Sequence, residues 1–413
     1  MALIVQKYGG SSVADAEKIK NVAKRVVAAK EKGNRLVVVV SAMGKTTDQL
    51  IALARQVMDQ PDERELDVLL STGEIVSTAL LAMALKSMGH DAISLSGAQA
   101  GIRTDTTYSK ARIAVIDAQR ILKELDEGKI VIVAGFQGIT EEMDVTTLGR
   151  GGSDTTAVAL AARLNAAICE IYTDVEGVYT ADPRLVPEAR KLGEIGYEEM
   201  LEMASLGSKV MHPRAVELGQ VYGIPILVAS SFTSAPGTLI HGGVPMEVRN
   251  KVSGVAHDLN VAKVTVLGVP DRPGIAAQIF QPLASAAVSV DTIVQNASMD
   301  RKITDLTFTV SRTDLAKAMR LVEPVAKAIG AMGCISDARL AKVSIVGAGM
   351  QSAPGYAATM FRALYEAGIN IELITTSEIK ITCIIDEKRV TDAVQALHRA
   401  FELEKGQEFT VKK

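Results

Sequence analysis

The chain has 413 residues, with 45 Lys plus Arg against 48 Asp plus Glu. That length allows roughly two to three domains. The formal net charge of -3 excludes a chain built to coat nucleic acid or an anionic membrane, since both need a basic surplus. Aromatic residues are only 4% and Trp is absent, so no base-stacking or carbohydrate platform is expected and the core must be aliphatic.

In chain order, residues 2–5 read as a strand. Residues 13–32 read as a helix, with Ile19, Val22, Ala23, Val26 and Val27 on one face and Gly33 as its stop. The β-branched run 35–40 is the pattern of a strand buried on both faces. A long helix is expected over 63–88, broken near Gly73. Further strands are expected over 92–95, 130–134, 168–173 and 224–228, with helices over 111–125, 154–164 and 213–222. Strands alternating with helices at this spacing predict an α/β domain over 1–240, with a mostly parallel central sheet covered on both faces. The longest apolar runs, 36–40 and 130–136, fall far short of the ~18 residues of a membrane span. No basic and apolar leader opens the chain.

Residues 241–262 read as a linker, rich at first in glycine and charge. A repeat comes next, predicting two small α+β modules of βαββαβ type over 263–340 and 341–413. Lys263 and Lys342 are 79 residues apart, and Pro273-Gly274 and Pro354-Gly355 are offset by 81. Each copy then carries a strand ending in an acid, Val290-Asp291 or Ile371-Glu372, and a further strand and helix.

Cys169, Cys334 and Cys383 form no CxxC pair, which suits core packing in a reduced cytoplasm. The five histidines have no HExxH spacing, so no all-protein metal site is expected.

In an open parallel sheet, ligands bind beyond the carboxyl ends of the strands. The segments at those ends are therefore informative: Lys7-Tyr8-Gly9-Gly10, Ser41 to Thr47, Gly149-Arg150-Gly151-Gly152-Ser153-Asp154, and Asp174 with Tyr179 to Arg184. Gly9, Gly10, Gly151 and Gly152 suit tight strand-to-helix turns. They equally suit backbone N–H groups brought close to phosphate oxygens, with Lys7 and Arg150 nearby. Gly44-Lys45-Thr46 is not a P-loop, because the spacing needs glycine where Val39 stands. No GxGxxG comes after a strand. Ser71-Thr72-Gly73-Glu74 suits either a helix cap or a carboxylate for a cationic amine.

These segments, with SAM at Ser41, AGFQG at Ala134, YTDVEGVYTADPR at Tyr172 and GSKVMHPRA around Lys209, resemble the aspartokinases of the amino-acid-kinase family. The resemblance runs through the whole chain, and the repeats look like ACT regulatory domains. It implies a three-layer catalytic sandwich that phosphorylates the β-carboxylate of L-aspartate, using ATP with Mg2+. It implies Lys7, Tyr8, Gly9, Gly10, Ser41, Thr173, Asp174, Tyr179, Thr180, Ala181, Asp182, Pro183, Arg184 and Lys209 at the nucleotide. Thr47, Glu74, Arg150, Gly151, Gly152 and Ser153 would hold aspartate, Glu74 on the ammonium and Arg150 on the α-carboxylate, and Asp154 would orient Lys7.

Lysine and threonine are implied as inhibitors. The charge pattern around Asp271, Gly274, Ile275, Ala276, Asp291 and Gln295 suits an amino acid, and Asn370, Ile371, Ser377 and Glu378 form a different second site. Such enzymes occur as homo-oligomers or as α2β2 assemblies with a shorter chain from an internal start, for which Met246 is the candidate. The rival readings are a kinase for glutamate, N-acetylglutamate or UMP, and a non-catalytic amino-acid sensor.

Overall fold

The computed structural model describes residues 2–208, 210–242, 252–295, 303–350 and 354–405. Lys209 and Met246, both singled out above, lie outside them. The chain forms two compact units, one of residues 1–179 with 191–248 and one of Thr180–Arg190 with 249–413.

The first unit runs β1 (Leu3–Tyr8), α1 (Ala16–Glu31), β2 (Arg35–Val40), α2 (Thr46–Val57), α3 (Glu63–Ser87), β3 (Ala92–Leu95), β4 (Ile102–Thr104), β5 (Ile113–Ile116), α4 (Gln119–Asp126), β6 (Ile130–Ala134), β7 (Gln137–Ile139), β8 (Val145–Thr147), α5 (Gly152–Arg163), β9 (Ile168–Thr173), β10 (Glu194–Gly196), α6 (Tyr197–Ser205), α7 (Pro213–Tyr222), β11 (Ile226–Ser230) and β12 (Thr238–His241). Its main sheet has the order β10-β12-β11-β9-β1-β2-β6-β3. Every neighbouring pair is parallel except β11 with β12. The valines of β2 are fully buried, as a strand covered on both faces requires. Ile19, Val22 and Val26 of α1 and Leu81 and Leu85 of α3 cluster with β2 and β6 residues on one side. α5 packs against β1, β2 and β9, and the three layers are complete.

Two expectations change here. α3 is one continuous helix through Gly73. A Cβ at Gly73 would stand 2.8 Å from the Ala42 Cβ, so this glycine lets the helix pass the 41–44 turn and is no break. Residues 111–125 are not one helix. Residues Ile113–Ile116 pair antiparallel with β4 in a second sheet of order β5-β4-β7-β8, and the helix starts only at Gln119. Tertiary pairing overrides local periodicity there.

The second unit contains β13 (Gly254–Pro270), α8 (Ile275–Ser285), β14 (Val290–Gln295), β15 (Ile303–Val310), α9 (Leu315–Ile329), β16 (Gly333–Val346), α10 (Tyr356–Glu366), β17 (Leu373–Thr376), β18 (Lys380–Asp386) and α11 (Val390–Ala400). The expected linker thus ends early, because residues 254–262 are already strand. All six strands form one antiparallel sheet, β14-β15-β13-β16-β18-β17.

β13 and β16 are long because each serves both modules. Val264 and Val266 of β13 pair with Ser336 and Cys334, and Gly254 and Val255 pair with Val346 and Ile345. The first half of β16 therefore closes the first βαββαβ module. The first half of β13 supplies the outer strand of the second module. Among the described residues three ion pairs cross between modules, Lys263 with Glu372 at 2.9 Å, Arg312 with Glu387 at 2.7 Å and Lys342 with Asp291.

The core of the second module also takes in part of Thr180–Arg190. Ala181 and Val186 are buried among Val343, Ile345, Met360, Leu364 and Leu397. Val255 N–H donates to the Thr180 carbonyl, Gln395 Nε2 donates to the Leu185 carbonyl, and Thr180 Oγ1 meets Nε2 of buried His398 at 3.0 Å.

Candidate active site

The carboxyl ends of β1, β2, β6 and β9 lie side by side, and the turns after them gather at one edge. Lys7 is the penultimate residue of β1, 9% exposed, and its Nζ lies 2.6 Å from Asp154 Oδ1 in the first turn of α5. The approach is ionic and not along a hydrogen-bond direction, so that oxygen keeps no aligned donor. Gly9 sits so close that a Cβ there would lie 3.4 Å from Lys7 Nζ. Gly10 is pressed against the 41–44 turn, where a Cβ would fall 2.8 Å from the Ala42 carbonyl. Larger residues at these two positions would crowd the backbone around the lysine.

Tyr8 has a different role from its neighbours. Its ring is fully buried, stacks on Tyr172 with centroids 4.9 Å apart, and donates its hydroxyl to Gln6 Oε1. Only its backbone can face a ligand.

α5 begins at Gly151, whose φ of 70 is left-handed, and a Cβ there would run into the His212 ring. Gly152 is equally enclosed by Leu148 and Phe136, and Ser153 is buried against Gly135. This helix N-terminus points its free N–H groups into the same edge as Lys7, the field an anion seeks. Arg150 is exposed on the preceding turn, at the mouth of a groove of 1340 Å³ lined also by Lys110, Arg112, His212 and Arg214.

Glu74 lies inside α3, 2% exposed. Its Oε1 accepts the Ala42 N–H at 3.0 Å, while Oε2 is buried without a partner. Burial pushes its carboxyl up to about 7, with the Ala42 N–H pulling the other way. Ser77 Oγ donates to the Ser41 carbonyl and fixes the same turn to α3. Thr47 is half-buried in the first turn of α2. An unpartnered carboxylate oxygen in a buried place is a strong demand for a cation.

Thr173 ends β9 and Asp174 is the next residue, with Thr173 Oγ1 donating to Asp174 Oδ1. Tyr179 bridges to Lys191. Of the remaining expected nucleotide contacts, Thr180, Ala181, Asp182, Pro183 and Arg184 belong to the second unit. The side chains of Thr180 and Ala181 are enclosed in its core, and Arg184 is occupied with Asp182 at 2.6 Å. They are not brought together with the Lys7 cluster within one unit.

In the second unit, Gly274 caps α8 at a φ of 88 and Gly355 caps α10 at 108, so both repeats open their first helix on a left-handed glycine. Asp271, Ala276, Gln295, Asn370, Ser377 and Glu378 are exposed, Ile275 is buried and Ile371 half-buried. Asp291 is engaged by Lys342, so an ammonium arriving there competes with that lysine.

Residues 2–230 match the amino acid kinase family, and residues 264–324 and 343–401 match the ACT domain. A protein of Mycolicibacterium smegmatis named aspartokinase is 53% identical over 408 residues, which cover 98% of this chain and 97% of that protein. The chain belongs to the aspartokinase family. Aspartokinase III of E. coli, solved in complex with aspartate and ADP in an R-state, is 27% identical with a TM-score of 0.83, over 96% of this chain and 99% of that one. The same aspartokinase with lysine and aspartate in a T-state matches 97% of this chain and 99% of that one, at 27% identity and a TM-score of 0.73.

Two residues that carried no expectation from the sequence also shape the aspartokinase site. His212 closes over Gly151, and its Nδ1 accepts the Arg214 N–H at the start of α7. Its signal was present in the sequence, since a polar residue before Pro213 is a helix-start pattern. Asp67, fully buried in α3, carried no such signal.

Proposed function

We propose that the chain transfers the γ-phosphoryl group of ATP to the β-carboxylate of L-aspartate. The observation that carries this reading is the buried Lys7–Asp154 pair between two glycine turns, with an unsatisfied carboxylate oxygen on Glu74 at the same edge. A carboxylate substrate is already ionised and nucleophilic at neutral pH, so the site needs positioning and positive charge and no general base. One carboxylate oxygen forms the new bond to the γ-phosphorus. The bond from that phosphorus to the β–γ bridging oxygen breaks, and ADP leaves with the electron pair.

Lys7 stabilises the charge on the transferred group, and Asp154 keeps the lysine aimed. The N–H groups at Gly10 and Gly151 cradle phosphate oxygens, while those of Gly9 and Gly152 are held by the Tyr172 and Gly149 carbonyls. Ser41, Thr173, Asp174 and Tyr179 line the nucleotide, and the family resemblance adds Lys209, outside the described residues, as a phosphate contact. Glu74 takes the substrate ammonium, Arg150 its α-carboxylate by a bidentate contact, and Thr47 and Ser153 complete that subsite. No group of three or more His, Cys, Asp or Glu side chains is assembled for a metal among the described residues. Mg2+ would be held chiefly by nucleotide oxygens, where it would screen the phosphate charge.

Lysine and threonine are the proposed effectors at the ACT modules, and the chain is proposed to work in the cytoplasm as a homo-oligomer or with a shorter chain begun at Met246. The test is ADP release by the purified chain with ATP, Mg2+ and a panel of aspartate, glutamate, N-acetylglutamate and UMP. Hydroxylamine trapping of the acyl phosphate identifies the acceptor group. Aspartate alone should support turnover, and turnover with another acceptor but not aspartate overturns the reading.

A further inference from the structure

The Arg150 side chain makes no hydrogen bond or ion pair among the described residues, so its place is set by the backbone that carries it. That backbone is gripped from two sides. On one side is Asp67 in α3. Its Oδ2 accepts the N–H groups of Ser109 at 2.8 Å and Thr147 at 2.7 Å, and its Oδ1 accepts the hydroxyls of Thr147 at 2.7 Å and Ser109 at 3.3 Å. On the other side is Arg214 in α7, whose Nη1 donates to the Leu148 carbonyl at 3.0 Å and Nη2 to the Ala111 carbonyl at 3.2 Å.

The two gripped segments are also tied to each other, since the Ala111 N–H donates to the Thr147 carbonyl. Gly149, at a φ of 76, then packs so tightly on Ser109 that a Cβ would come 2.9 Å from its carbonyl oxygen. Arg150 is the next residue.

We propose that Asp67 and Arg214 are positioning residues that together set the Arg150 turn relative to Glu74, and so match the site to the spacing between the substrate's carboxylate and ammonium. The proposal rests on the assignment of Arg150 to the substrate carboxylate made above. Asp67 is fully buried and has no cationic partner among the described residues, an arrangement that costs free energy unless every lone pair is used. Here both oxygens are filled, Oδ2 by two backbone N–H groups and Oδ1 by two hydroxyls. An amide could still meet the N–H groups with its oxygen and the hydroxyls, turned to accept, with its NH2, so only loss of the whole polar group releases both segments. Asp67 and Glu74 also share one helix, separated by seven residues or roughly 10 Å of rise. α3 thus ties the ammonium subsite rigidly to the carboxylate subsite.

The experiment is steady-state kinetics on the whole chain with Asp67→Ala, Arg214→Gln and Arg150→Ala, alone and in pairs, with folding checked by circular dichroism. Each clamp variant should raise KM for aspartate by at least roughly tenfold, leaving KM for ATP within about twofold. In the Arg150→Ala background the same changes should alter KM for aspartate by less than about twofold, because the residue they position is gone. Equal losses in both backgrounds, or KM for ATP and aspartate rising together, would overturn the clamp and leave only a role in folding.

If Asp67→Ala does not fold, Arg214→Gln and Arg214→Lys decide. The lysine keeps the charge but cannot span both carbonyls, so it should behave like the glutamine. Native function in Arg214→Lys refutes the bridging geometry. Amide exchange over 109–111 and 147–151 should quicken in the clamp variants whatever the substrate. Wild-type chain without aspartate turnover, or Arg150→Ala with unchanged KM for aspartate, would count against the functional assignment, whereas unchanged exchange would count against the clamp.

Discussion

A carboxylate as enclosed as that of Glu74 stores free energy that a ligand can release. Its ordinary value near 4.5 is raised to about 7 in the fold. The native state therefore holds a proton that the unfolded chain gives up across that window, and the associated stability is present below about 4.5 and lost as pH rises through about 7. Glu74→Gln should flatten this dependence and stabilise the ligand-free protein at pH 8 by up to roughly 3 kcal/mol. Urea denaturation of both proteins at pH 5 and pH 8 measures it, and parallel profiles would refute it. Binding of the substrate ammonium should draw the proton off, so calorimetry near pH 6.5 in buffers of different ionisation heat should detect proton release.

Lys7 acts on the transition state. Lys7→Ala should lower turnover by about two orders of magnitude or more with the fold intact by circular dichroism, and near-native turnover would remove Lys7 from the chemistry. Lys7, Asp154 and the glycine pairs were legible from sequence because each lies at the end of a strand or opens a helix. Asp67 was not. In the run Glu63-Arg-Glu-Leu-Asp it reads as one more charge on a solvated helix turn, and only the donors of Ser109 and Thr147, about 40 and 80 residues away, reveal its burial.

Among the elements, α3 does the most positioning. Its passage against Ala42 depends on the missing side chain of Gly73, and Gly73→Ala should show the conflict directly. The alanine gains up to about 1 kcal/mol of helix propensity, but its methyl meets the Ala42 methyl at 2.8 Å, an overpacking worth about 1–3 kcal/mol. Thermal denaturation should show a net loss of stability, and KM for aspartate should rise as the 41–44 turn shifts from Glu74. A variant more stable than wild type with unchanged KM would contradict this packing.

The sequence marked the longer parallel strands well, since β2, β6 and β9 match their expected bounds. The small second sheet escaped because its strands have three or four residues and no alternation to read. The long β13 escaped for another reason: its first half pairs with the far end of β16, a partner some 90 residues on that no local pattern announces.

On the scale of the whole molecule, the two modules are joined by the exchange of β13 and β16 and by the Lys263–Glu372 and Lys342–Asp291 pairs. An amino acid bound beside Asp291 would act on both modules through the shared strands. Turnover with lysine, threonine and both should fall in wild type, and the fall should weaken in Asp271→Ala and Gln295→Ala with basal rates unchanged. The coupling typical of such systems is about 1–3 kcal/mol, or some 5–150-fold in apparent affinity. Undiminished inhibition in both variants would place the effectors elsewhere.

The membership of Thr180–Arg190 in the second unit bears on the order of synthesis. These residues leave the ribosome well before the strands and helices that bury Ala181 and Val186. While residues 249–405 are still being made, the first unit carries an apolar loop with no core to enter, an exposed stretch of the kind chaperones and proteases recognise. A fragment ending at Val248 would keep that state permanently. Thermolysin should cut it readily at Leu185 or Val186, and the complete chain should resist at the same bonds.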